Sequence, residues 1–537
     1  MVSTVIQTVV AASFIYTIYT LYYRLYLSPI AIFPGPKLAA ATFWYEFYYD
    51  IVLGGKYIWK IRDLHRQYGS VIRINPYELH VSDPNFWDTM YTASTSRNRR
   101  DKWAWQTKGI GIDASILGTA EHALHRHRRT ALNSFFSMQN VRKLLPVVEE
   151  RVNVLVQRLK ASGDRGEIVS IEYAFSAFTN ASDVVMKYCF GQSDYHIEAP
   201  GFDPNYHNTS FGAAKSIALL KHMNWILKIM LALPESIAER MGEEVSSNIR
   251  LKRVRLQYLF SLGAHRLIYL SQERINQIED IRRRGTDAAL NSSAATIFHT
   301  LLESDLPESE KDTTRLAEEA VLLVGAGTHT TSWVLTVIAF HLLSQPTLLK
   351  RLKEELEIAI PNSESNVPLD ELEKLPYLTA VLKEGLRLGY GTTVRSARVA
   401  PDTSLKCGDW IIPPGTPVSM TIPLTHHDES IFPDSDSFNP GRWLGNGASR
   451  LEKYLVSFSK GSRACLGLNL AWAELYLCTA GVFRLFGSQE VRGASDVGVL
   501  ELYETDIGDV ALVSDMFFPV AKEGSKGVRV KVSAKLE

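Results

Sequence analysis

The sequence predicts a mainly α fold with small β-sheets, an α+β arrangement carried behind one N-terminal transmembrane helix. Three observations carry that expectation. No charge precedes Arg24 in an apolar opening segment. Strand signals are short: residues 70–81 read as two strands joined by a turn at Asn75-Pro76, and the chain from there to Lys406 is mainly helical. A helical pattern opening at Asp312 or Thr313 runs to Gln345, just before Pro346, and would span roughly 50 Å.

Residues 2–23 are rich in Val, Ile, Ala, Leu, Tyr and Phe and could cross a hydrocarbon layer of about 30 Å. A cleaved signal peptide would instead need a basic start and a shorter apolar core. Tyr19, Tyr22, Tyr23 and Tyr26 gather at the far end like an interfacial belt, and Arg24 and Lys37 favour a cytoplasmic C-terminal side. Pro29 and the run Phe33-Pro34-Gly35-Pro36 cannot continue a helix and stiffen the exit from the membrane. With no Gly/Ser-rich linker or repeat further on, the expected organisation is an anchor over 1–24, a proline-rich hinge over 25–37 and one large domain over 38–537.

Lysine plus arginine equals aspartate plus glutamate at 58 each, which removes the charge argument for nucleic-acid binding. Cys189, Cys407, Cys465 and Cys478 are widely spaced without a C-x-x-C pair, so neither a zinc knuckle nor a disulfide framework is expected.

Chemistry concentrates at Phe458-Ser459-Lys460-Gly461-Ser462-Arg463-Ala464-Cys465-Leu466-Gly467. A cysteine ligates a metal as its thiolate, which needs positive potential and backbone N–H groups nearby. The apolar stretch over 466–486 reads as a helix whose N-terminal end faces the sulfur, while Gly461 and Gly467 permit a tight turn and close approach to a flat macrocycle. By average residue usage, the pattern F-x-x-G-x-R-x-C-x-G arises by chance on the order of once in ten thousand chains of this length, which sets aside an ordinary turn around a buried cysteine.

That pattern resembles the signature of the cytochromes P-450, the haem-thiolate monooxygenases. The resemblance implies haem b with Cys465 as its axial ligand, Phe458 and Arg463 beside it, and Arg463 on a haem carboxylate. It brings in other segments. His125 and Arg129 stand where the family has a Trp and an Arg on a propionate, and Arg395 matches a further propionate position. Gly325-Ala326-Gly327-Thr328-His329-Thr330-Thr331 interrupts good helix propensity in the middle of the long helix. It resembles (A/G)-G-x-(D/E)-T-T, which gives Thr330 a part in proton delivery and places His329 where an acid is usual. Glu384 and Arg387 resemble the E-x-x-R motif, and Arg442 the arginine of the P-E-R-F segment, so a buried ion cluster fixing the cysteine loop is expected. Residues 211–241 fall where the family has its access channel.

The phrases Phe33-Pro34-Gly35-Pro36-Lys37-Leu38, Tyr68-Gly69, Arg73-Ile74-Asn75-Pro76 with Glu78-Leu79-His80, and the run from Glu384 to Gly391 are similar to fungal trichodiene oxygenases, which implies an apolar terpenoid or polyketide substrate from secondary metabolism. The implied partners are NADPH-cytochrome P-450 reductase and the endoplasmic reticulum membrane, with the catalytic domain on the cytoplasmic side. A haem-thiolate isomerase or dehydratase without external oxidant, and a non-enzymatic haem sensor, are the rival readings.

Overall fold

The computed structural model describes residues 2–534 apart from 94–97, 109–110, 180–183, 192–194, 206, 209–210, 213–220, 224–272, 284–295 and 363–367. Most of the 211–241 segment therefore lies outside the described residues. Helices dominate, as expected, and the sheets are small.

The first helix, Val2–Tyr22, stands clear of the domain and presents its apolar side chains outward. That exposure suits a membrane anchor, because none of the described residues covers it. The helix Thr313–Ser344 is also long and apolar enough to span a bilayer, but it is mostly buried and forms the core. The hinge is not a free tether. Ile30 and Phe33 are buried against the first sheet, Arg73 donates its backbone N–H to the Pro34 carbonyl at 2.7 Å, and the Arg73 guanidinium reaches the Arg24 carbonyl at 2.7 Å.

That sheet has five strands in the order Val71–Arg73, Leu79–Val81, Pro417–Ser419, Arg398–Val399 and Asp101–Lys102. Its first pair is an antiparallel hairpin with Ile72 opposite His80. The turn forms as the sequence suggests, with the Asn75 side-chain oxygen accepting from the N–H groups of Tyr77 and Glu78 at 3.0 and 2.9 Å. A four-stranded sheet of Ile168–Ser170, Arg529–Ala534, Gly498–Leu502 and Phe486–Gly487 closes the opposite side of the helical core.

Asp312 caps the long helix by accepting from the Arg315 N–H at 3.1 Å, and Pro346 comes directly after its end. Its hydroxyl-bearing residues are kept in the helix by bonds to carbonyls one turn back: Thr328 to Val324 at 2.9 Å, Thr330 to Ala326 at 2.8 Å and Ser332 to Thr328 at 2.7 Å. Such bonds let a hydroxyl-bearing residue sit inside a helix at little cost. The helix Pro376–Gly389 packs tightly on it because Gly385 and Gly389 carry no side chain. A Cβ at Gly385 would fall 2.6 Å from the Ile338 Cδ1, and one at Gly389 2.8 Å from a Val334 methyl.

Candidate active site

A cavity of about 470 Å³ lies between the long helix, the cysteine loop and the five-stranded sheet. The loop turns through a single 3₁₀ turn, Gly461–Arg463, and then enters the helix Leu468–Leu485. Gly461 has φ +73°, and a Cβ there would collide with the Thr92 and Tyr91 carbonyl oxygens. Only glycine fits. Gly467 differs: a Cβ would meet nothing within 4 Å, and the residue faces the open cavity.

The Cys465 N–H donates to the Phe458 carbonyl at 2.8 Å, and its sulfur is open to the cavity. Burial raises the thiol's pKa, while the Gly467 N–H and the Arg129 charge pull it down. Both opposing groups stabilise a thiolate. Arg129 comes from the helix His122–Asn133 and donates to the Ala464 carbonyl at 2.6 Å.

Five basic side chains, Lys102, His125, Arg129, Arg398 and Arg463, line the same cavity. Among the described residues none of the five makes an ion pair. Instead they lean on neutral oxygens: Arg463 on the Thr119 and Ala120 carbonyls at 2.7 Å each, Lys102 on Leu117 at 2.8 Å, and Arg398 on the Ser396 hydroxyl at 2.6 Å. The Arg463 Nε and His125 Nδ1 are buried without a hydrogen-bond partner. Burial and mutual repulsion bring Arg463 down to about 9 and His125 to about 2, and push Lys102 well below its ordinary value. A cluster of like charges this deep is costly unless an anion joins it. A flat group with two carboxylates and a metal that takes a thiolate ligand would fit here: Cys465 would hold the metal, and the carboxylates would satisfy the Arg463 and His125 nitrogens.

A model of the cytochrome P450 family matches residues 34–497. This chain belongs to the cytochrome P450 family. Its relatives include the cytochrome P450 monooxygenase tpcC of Cochliobolus heterostrophus, 43% identical over 98% of this chain and 97% of that one. The cytochrome P450 monooxygenase astB of Talaromyces wortmannii is 42% identical over 97% and 96%. The tryptophan 6-hydroxylase fscE of Fusarium equiseti is 41% identical over 95% and 94%. The chain is accordingly a haem-thiolate monooxygenase, and neither the isomerase or dehydratase reading nor the sensor is favoured.

In this cytochrome P450, the cavity brings together Phe458, Arg463, Cys465, His125, Arg129, Thr330 and His329. Arg395 also reaches the cavity wall, but its charge is engaged elsewhere. It pairs with Glu46 at 2.6 Å, approaches Glu78 at 3.9 Å and lies over the Tyr57 ring. Although burial opposes the charge, Glu46, Glu78 and Asp50 hold Arg395 above its usual range. Its guanidinium is thus already neutralised. Arg398, three residues on, and Lys102, on the neighbouring strand, occupy the cationic cluster and were missed. A second arginine three residues after Arg395 was the available signal; nothing in the sequence around Lys102 marked it.

His329 is packed among the rings of His207, Phe211 and Phe518, with centroids 5.3, 5.6 and 5.4 Å away. Burial first, then the neighbouring His207, holds its pKa well below the ordinary value. His329 is therefore neutral near pH 7.

The expected ion cluster is present and larger than the motif. Arg387 grips Glu384 with two bonds of 3.0 and 2.8 Å, Arg442 adds one of 3.0 Å, the Trp443 indole one of 2.8 Å and the Asn439 N–H one of 2.9 Å. Burial works against the Glu384 charge, but these donors outweigh it and hold the carboxyl below its usual range. Arg387 also ties down the carbonyls of His426, Ser435 and Ser437. His426 carries the connection onward. It accepts from the Val456 N–H at 3.0 Å, so its other nitrogen bears the proton and donates to the Arg387 carbonyl at 2.7 Å. Val456 lies two residues before Phe458, where the cysteine loop begins.

Proposed function

We propose that this monooxygenase oxidises an apolar small molecule, a terpenoid or polyketide intermediate of fungal secondary metabolism, from the endoplasmic reticulum membrane with its catalytic domain on the cytoplasmic side. Electrons come from NADPH through cytochrome P450 reductase. The observation that carries the reading is the cavity, in which one cysteine, a cationic cluster with orphaned donors and the Thr330 turn of the long helix share one space. The relative named tryptophan 6-hydroxylase widens the candidate substrates beyond terpenoids.

Haem b, which Cys465 would hold, would supply the dioxygen-activating chemistry, with the thiolate as its electron donor. The protein's own residues set the conditions. Arg463, His125, Arg129, Arg398 and Lys102 hold the two carboxylates, and Phe458 lies against the cysteine turn beside Trp472, ring centroids 6.2 Å apart. Thr330 can release the bond to Ala326 and pass its hydroxyl proton into the cavity. A neutral imidazole can donate at one nitrogen and accept at the other, which is what His329 would need to relay a proton towards Thr330. Apolar side chains such as Ile112, Ile116, Val394 and Phe518 line the cavity and keep water out.

The test is expression of the full chain in yeast with a reductase, feeding terpenoids and reading products by mass spectrometry with and without NADPH. An oxygenated product that requires NADPH is expected. Product formed without NADPH, or a reduced carbonyl Soret band that survives Cys465→Ala, overturns the reading.

A further inference from the structure

Once the cationic cluster is assigned to the haem carboxylates, a second polar group remains in the cavity wall. It is centred on Asp515, in the strand Ser514–Met516 of a hairpin whose partner strand is Phe518–Val520. Asp515 Oδ1 accepts from the Thr393 hydroxyl at 2.7 Å and from the Phe517 N–H at 3.2 Å. Among the described residues no hydrogen bond reaches Oδ2, and Asp515 lines the cavity. Burial raises its pKa, with the Thr393 bond acting against that rise. Nearby, Lys221 pairs with Glu46 at 2.7 Å and Asp50 at 3.1 Å, and Lys221 and Asp50 also face the cavity.

The backbone at this point is strained. Phe517 has φ +75°, a conformation that a bulky residue adopts only when its surroundings impose it. Two bonds do so here: the Asp515 carboxylate on the Phe517 N–H, and the Thr393 N–H on the Phe517 carbonyl at 3.1 Å. The strain holds Asp515 and the Phe517 ring at the cavity wall. A carboxyl is an expensive way to brace a turn, since an asparagine could accept both bonds without the cost of a partly buried acid.

We propose that Asp515, with the Lys221–Asp50 pair beside it, is a specificity-determining subsite that receives a hydroxyl or carbonyl oxygen of the substrate. The inference deepens the proposed function. The substrate class becomes an apolar skeleton that already bears an oxygen function, so an earlier oxygenation or hydrolysis must supply it. Binding there orients the skeleton and selects which carbon is offered for oxidation. A pure hydrocarbon would offer Asp515 Oδ2 no partner.

The test is spectral titration of the purified haem-loaded protein with matched probes, farnesol against farnesene and 2-naphthol against naphthalene. It is run on wild type, Asp515→Asn and Asp515→Leu. Haem content, the reduced carbonyl Soret band and a control shift with imidazole show separately whether the haem reading holds. Expected is binding of the oxygenated member of each pair about tenfold tighter than the hydrocarbon in wild type. Asp515→Asn should keep most of that preference and Asp515→Leu should lose it. Equal affinity within the pairs, no shift with either oxygenated probe while imidazole binds, or an undiminished preference in Asp515→Leu overturns the proposal.

Discussion

Arg395 and Arg398 are three residues apart and have opposite electrostatic situations, so they make the sharpest comparison at the residue scale. Removing Arg395 leaves Glu46 with Lys221 as its remaining cationic partner and takes the charge beside Glu78 away, and Arg395→Leu is expected to cost on the order of a few kcal/mol of stability. Arg398→Leu relieves a like-charge cluster. The apoprotein should melt at the same temperature or higher, whereas haem retention during gel filtration should fall. Calorimetry on both variants, alongside haem content, checks this, and an Arg398→Leu protein that keeps its haem as firmly as wild type would contradict the assignment. Thr330→Ala should leave haem content intact while product formed per NADPH consumed falls about tenfold and hydrogen peroxide rises. If His329 resupplies the proton, His329→Ala shows the same leak and His329→Asp recovers part of the coupling. Unchanged coupling in both alanine variants would remove the proton-delivery role. The cysteine and Arg463 were legible because ten contiguous residues define their turn. The choice between Arg395 and Arg398 was not, because the partner that decides it, Glu46, lies 349 residues away.

Among elements, the helix Pro376–Gly389 braces the cysteine loop through Glu384 and His426. Glu384→Ala removes the acceptor for five donors and leaves Arg387 and Arg442 as uncompensated charges, at an expected cost of roughly 3–5 kcal/mol. The measurement is the melting temperature and haem occupancy of the purified variant; normal values for both would show that the cluster does not brace the loop. The long helix was readable from its cap, its length and the proline that ends it. So was the Glu384 cluster, in outline, from the spacing of Glu384 and Arg387 on one face and the arginine downstream. The Trp443 indole, the Asn439 N–H and the His426 bridge were not, since a bond from backbone to side chain leaves no pattern in residue types.

Across the whole molecule, buried neutral histidines set the response to acid. Burial brings His65, His341 and His427 to about 4 and His426 to about 3, while His80 and His329 lie well below their ordinary value. In the unfolded chain each takes up a proton near pH 6.5, so between that value and its folded pKa the unfolded state binds more protons. Stability is therefore full above about pH 6.5 and is lost as pH falls below it, by about 1.4 kcal/mol per pH unit for each such group. Chemical denaturation of the haem-loaded protein at pH 7.5, 6.0 and 5.0 should show this decline, with a shallower slope in His65→Gln. A pH-independent midpoint would contradict it. The mainly helical fold with small sheets was legible because periodicity and strand length are local properties. How the sheets assemble was not: the strands Leu79–Val81 and Pro417–Ser419 meet across most of the chain. Removing residues 1–23 should release the protein from membranes with haem still bound, since Arg24, whose carbonyl and guanidinium hold Arg73, Ala41 and Tyr77, stays. A truncated chain that resists carbonate extraction as the full one does would show that the first helix is not the anchor.

The bonds from Arg73 to the Arg24 and Pro34 carbonyls have a consequence for encounters. With the first helix in a bilayer, they turn the exit from the membrane into a rigid elbow, so the domain cannot tumble about its tether. Height and tilt are then set by the protein rather than averaged over a swinging linker. A partner diffusing in the same leaflet meets one presented face instead of all of them, and the search loses its rotational dimensions as well as one of translation. Lengthening the elbow with a few glycines, while leaving every residue of the cavity untouched, should slow electron delivery from a membrane-bound reductase but not from dithionite.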